Sequence, residues 1–79
     1  MPMQMNGKNL CGARLKQARK QKKLSQCELA QLLQKYELSL EQKSISRIEK
    51  GERFLADYEL LAVCRALDIS VMWVLTGEE

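Results

Sequence analysis

Gln42, Lys43, Ser46 and Arg47 recur at helical intervals, Gln42 with Ser46 and Lys43 with Arg47 one turn apart, so on a helix they share an outward face. Their chemistry is that of recognition. A glutamine amide donates and accepts at once and matches adenine with two hydrogen bonds, while Arg or Lys suits the O6 and N7 acceptors of guanine. The same pattern also fits a plain solvated helix face, which is what most charged faces are. Catalytic groups are scarce. The chain has no His, so no serine triad can be built from its usual partners. It also has no glycine-rich phosphate loop. Cys11, Cys27 and Cys64 are too widely spaced for a C-x-x-C motif. The expectation is no metal, no cofactor, no enzyme, and reduced thiols in a cytoplasmic protein.

The elements that must position these residues follow from periodicity and capping. Met1 to Asn9 is polar and aperiodic, expected as a flexible N-terminal arm (1–9) ahead of a single domain (10–77). A first helix over Leu10 to Gln21 buries Cys11, Leu15 and Ala18 and turns Arg14, Lys16, Arg19 and Lys20 elsewhere. Ser25-Gln-Cys-Glu28 is a capping box that opens a second helix, with Leu29, Ala30, Leu32 and Leu33 inward and an end near Lys35 or Tyr36. Ser39-Leu-Glu-Gln42 reads as a second capping box, opening a helix over Gln42 to Lys50 with Ile45 and Ile48 inward and Gly51 as its left-handed cap. Asp57 caps a fourth helix with Leu60, Leu61, Val63, Cys64 and Leu67 on its apolar face, and Ser70 caps a short fifth that Gly77 ends. Phe54 and Tyr58 are expected to pack the intervening loop onto the core.

Composition fits one small helical domain. The 79 residues are 46% apolar but only 5% aromatic, which argues against a β-sandwich core and against a stacking platform for single strands. The net charge of +3 hides an asymmetry: 12 of the 13 Lys and Arg residues lie in the first 53 positions. A basic leading part suits a polyanionic partner. No stretch is long and apolar enough to cross a membrane, and nothing has the shape of a signal peptide.

The strings LSQCELAQLL, KSISRIEKGER and DYELLAVCRALDISVMWVL resemble, in order, the Cro/repressor-type (XRE) helix-turn-helix family across Leu10 to Gly77. The resemblance implies an all-α, five-helix, lambda repressor-like fold around one core, of bacterial or phage origin. Its function would be sequence-specific binding of double-stranded DNA by a transcription regulator, a repressor. By resemblance, Gln42, Lys43, Ser46 and Arg47 read bases. Ser25, Gln26, Ser44, Lys50 and Arg53 meet the backbone, with Gln26 as a phosphate clamp. Arg19 and Glu49 match an orienting ion pair. The family also implies a homodimer through the C-terminal region, near Met72, Trp73 and Leu75. A short helix reads too few base pairs alone, and paired half-sites lie about 34–36 Å apart.

One departure is plain. Between Leu29-Ala30 and Ile45-Ser46 the chain has about five residues more than the compact pattern, where a turn of roughly 3–4 residues joins the helices. Either the second helix is longer or the turn is a larger loop. The alternative function is a helical protein-interaction module, antitoxin-like or a scaffold, that keeps the fold without strong DNA binding.

Overall fold

The computed structural model describes residues 10–78, so the expected arm lies outside the described residues. It contains α1 (Leu10–Gln21), α2 (Gln26–Gln34), α3 (Gln42–Glu49), α4 (Asp57–Leu67) and α5 (Val71–Thr76), with no strand among the described residues. α1 packs against α3 and α5, α2 against α3 and α4, and α4 against α5. Leu15, Leu29, Leu33, Ile45, Ile48, Val63, Cys64, Leu67 and Val74 form one buried cluster between them.

The C-terminal ends of α1 to α4 share one device. The amides of Leu24, Leu38, Glu52 and Ile69 reach back to the carbonyls of Arg19, Leu33, Arg47 and Cys64 at 2.8–3.1 Å. Each follows a residue in the left-handed region: Lys23 (φ 61), Glu37 (φ 62), Gly51 (φ 80) and Asp68 (φ 57). These are Schellman ends, but three lack the usual glycine. Left-handed backbone disfavours residues with a Cβ. In those three, however, the next residue is Leu24, Leu38 or Ile69, and all three pack on or within the core. Burial of that side chain offsets the strain, so a polar–apolar pair replaces glycine as the stop signal.

The longer connection is a larger loop, not a longer α2. It runs from Lys35 to Glu41, and Leu38 and Leu40 plug into the core at 6% and 8% exposure. Their burial uses up the Ser39 region, and the second capping box does not form. The N-cap of α3 is Glu41, which makes no side-chain capping bond, and Lys50 is the C-cap beyond Glu49 rather than a helical residue. At α4 the N-cap is Ala56, not Asp57, and the Glu59 carboxylate reaches back to accept the Ala56 amide at 2.9 Å. Phe54 and Tyr58 are both 65% exposed and Leu61 44%, so none of the three joins the core. The loop is held instead by a polar clasp: Arg53 donates to both carboxylate oxygens of Glu59 at 3.2 Å and to the Phe54 carbonyl at 3.0 Å. Arg14 departs from the solvated face too. It is half-buried and donates to the Val74 carbonyl at 3.1 Å, satisfying an acceptor at the end of α5.

Candidate nucleic-acid interface

α3 carries the residues expected to read bases, and its placement depends on α1 and α2. Ile45 and Ile48 anchor one side at 3% exposure each. Lys43, Arg47 and Lys50 stand exposed on the other, with Gln42 exposed at the leading end and Ser44 and Ser46 half-buried on the flanks. The amphipathic pattern therefore leaves a basic, amide-bearing surface free of the core. Lys16, Lys20, Lys22 and Lys23 on and after α1 are exposed as well.

A continuous hydrogen-bonded chain ties this helix to its neighbours. Arg19 in α1 grips Glu49 of α3 with two bonds, Nε to Oε2 at 2.7 Å and Nη2 to Oε1 at 3.1 Å. Its remaining arm donates to the Leu24 carbonyl at 2.6 Å. Gln26, at the first position of α2, donates Nε2 to Glu49 Oε1 at 3.0 Å. Gln42 in turn donates Nε2 to Gln26 Oε1. Gln42 and Glu49 lie two turns apart on α3, so the first turn of α2 is fastened to both ends of that helix. The paired side chains are 8% and 3% exposed. A carboxylate near a helix C-terminus is unfavourable unless paired, and burial raises the stakes. Such a network orients more than it stabilises.

Each expected residue has a definite position. Ser25 caps α2, its hydroxyl accepting the Glu28 amide at 3.0 Å while the Ser25 amide donates to Glu28 Oε1 at 2.7 Å. Ser25, Gln26, Gln42 and Lys43 thus gather around the adjoining N-termini of α2 and α3. There unpaired amides and the helix dipole favour an anion. Arg53 stands apart from this group: its guanidinium is engaged by Glu59, which raises its pKa through that hydrogen bond. Burial would push the Glu59 carboxyl up, but the hydrogen bonds from Arg53 and the Ala56 amide, with the arginine charge, outweigh it and hold the pKa below its ordinary value.

Gly12 is a residue that motif reading missed. A Cβ there would meet the Ile48 carbonyl oxygen at 2.1 Å, so α1 approaches the last turn of α3 through bare backbone. A glycine inside an otherwise apolar helical stripe was the available signal.

Two short helices joined through a loop, the second presenting its polar face outward and held by the first at its N-terminus, define a helix-turn-helix. The helix-turn-helix domain family matches residues 12–79, and the chain belongs to that family. Among solved structures it is similar to the P22 c2 repressor protein, crystallised in complex with synthetic operator 9T in the presence of Tl+. The two share 28% identity over 89% of this chain and 98% of that one, with a TM-score of 0.74. No curated protein matches the sequence. The repressor-like resemblance read from the sequence, and the five-helix fold it implied, are borne out.

Proposed function

We propose that this protein is a transcription regulator, a repressor, that binds double-stranded DNA sequence-specifically with α3 in the major groove. Gln42, Lys43, Ser46 and Arg47 meet base edges. Ser25, Gln26, Ser44 and Lys50 meet the sugar-phosphate backbone, and Arg53 braces the loop along the same strand from its clasp with Glu59. The observation that carries this reading is the hydrogen-bonded chain Arg19–Glu49–Gln26–Gln42, which presets the reading helix against the anion-favouring start of α2. The repressor that this fold resembles is bound to an operator, which supports the same partner here. The function is one of binding, not catalysis.

A homodimer completes the reading. Met72 and Leu75 on α5 are 57% and 46% exposed, apolar side chains suited to a second copy. Selection of duplexes from a random pool, followed by titration across salt, tests the proposal. Enrichment of a two-half-site sequence, with affinity falling steeply as salt rises, is expected. A pool that stays random, with weak salt-independent binding, would favour the protein-interaction module instead.

A further inference from the structure

A groove of about 410 Å³ opens between the connection after α2 and the outer face of α4. That volume falls within the roughly 300–1,000 Å³ of ordinary small-molecule sites. Lys35, Tyr36 and Glu37 form one wall, and Tyr58, Leu61 and Arg65, on successive turns of α4, form the other. All six are exposed, and Tyr36, Tyr58 and Leu61 bring large apolar surfaces that the core leaves uncovered. No hydrogen bond or ion pair of the Lys35, Glu37 or Arg65 side chains occurs among the described residues. Arg65 is also the one Lys or Arg after position 53. Its place in the last turn of α4 suits the helix dipole, but that role needs neither tyrosine nor Lys35. The first wall belongs to the loop that lengthens this chain beyond the compact pattern, and no residue of α3 lines the groove.

We propose that this groove is an effector site for a small aromatic monocarboxylate. Tyr36, Tyr58 and Leu61 give the ring an apolar bed, and Lys35 and Arg65 supply the cations for its carboxylate. Two cations against the one carboxylate of Glu37 leave a single positive charge, which suits a monoanion rather than a phosphate. Apolar walls with a few convergent polar groups are the ordinary form of a ligand site. The ligand and DNA would not compete for side chains, because α3 lines no part of the groove. It acts instead through the connection, which runs from the groove to Glu41, the N-cap of α3. The regulatory role rests on the DNA-binding reading above, whereas binding itself does not.

Heteronuclear NMR titration of the full-length, ¹⁵N-labelled protein tests it, with phenylacetate as the probe and phenylacetamide as its neutral counterpart. Saturable shifts are expected at the amides of Tyr36, Glu37, Tyr58, Leu61 and Arg65. Phenylacetate should bind about fivefold tighter than the amide, the preference expected of one exposed ion pair. Arg65→Gln should bind the two equally, an effect that loss of a helix-dipole contact would not produce. Tyr58→Ala should weaken both. Both side chains are exposed, so the variants should melt near wild type by circular dichroism. Shifts that do not saturate, or that scatter over the other exposed cations, would overturn the site, as would equal binding of acid and amide by wild type. Saturating phenylacetate should also change affinity for the selected duplex at least about threefold in wild type and not in Arg65→Gln, a small coupling between sites. Unchanged duplex affinity despite the NMR shifts would overturn the effector role. If wild type binds no duplex while the shifts appear, the DNA-binding reading fails and the effector role with it, but the ligand site stands.

Discussion

A Cβ built on Gly12 would lie 2.1 Å from the carbonyl oxygen of Ile48, closer than any relaxation of side chains can accommodate. α1 therefore seats against the last turn of the recognition helix at a position that excludes every side chain. In a solvated helix, Ala would be better than Gly by about 1 kcal/mol. Here the sign reverses: Gly12→Ala must push α1 off α3, and the expected loss is about 1–3 kcal/mol, the range for overpacking. Urea denaturation measures it. A variant more stable than wild type would show that the helices are not in backbone contact.

The Arg19–Glu49 pair makes a second prediction. Arg19→Ala leaves a carboxylate buried with only the Gln26 amide on it, and the expected cost is about 3–5 kcal/mol. Replacing both members, as Arg19→Met with Glu49→Leu, should recover most of that stability, because an apolar pair needs no desolvated charge. Chemical denaturation of the two variants checks the contrast. A loss for Arg19→Ala no larger than that of an exposed pair, about 0.5 kcal/mol, would mean the contact is not buried in solution.

Acid should loosen the loop before α4. The folded pKa of Glu59 lies below its ordinary 4.5. Its stabilising contribution is therefore complete above that value and is lost as the pH falls through the lower, folded one. Thermal melts of wild type should decline through this acid range. Those of Glu59→Gln should start lower at neutral pH and decline less steeply. Parallel pH profiles for the two proteins would contradict the assigned direction.

Readout and anchoring should separate by mutation. Arg47→Ala is expected to cost about 1–3 kcal/mol at the cognate site and to relax the preference there. Lys50→Ala should weaken all duplexes about equally and reduce the salt slope by about one. Equilibrium titrations against cognate and scrambled duplexes at several salt concentrations distinguish the two. Equal affinity of Arg47→Ala and wild type for every duplex would remove Arg47 from the reading face.

Local chemistry in the sequence was enough to place most of the elements. Ser25 and Glu28 satisfy each other's amides within one turn, Ser70 caps α5 through the Trp73 amide at 3.1 Å, and Gly51 takes the left-handed cap of α3. Those interactions span a few residues, so a string of letters contains both partners. The faces of α1 and α3 were legible for the same reason: Leu15 with Ala18, and Ile45 with Ile48, repeat at the helical period and are buried.

Tertiary contacts decided the rest. Glu37 ends the turn after α2 because Leu38 beside it finds the core, and Leu38 and Leu40 are buried although no helical period marks them. Gly12 is required by a carbonyl far along the chain, and the Arg53–Glu59 clasp, rather than Phe54 or Tyr58, holds the loop. The meeting of Gln26 with both Glu49 and Gln42 likewise depends on where α2 crosses α3. Periodicity and caps are written in short-range chemistry. Close approach, buried charge and the frame that positions α3 are properties of packing between distant segments, and they exist only once the helices have met.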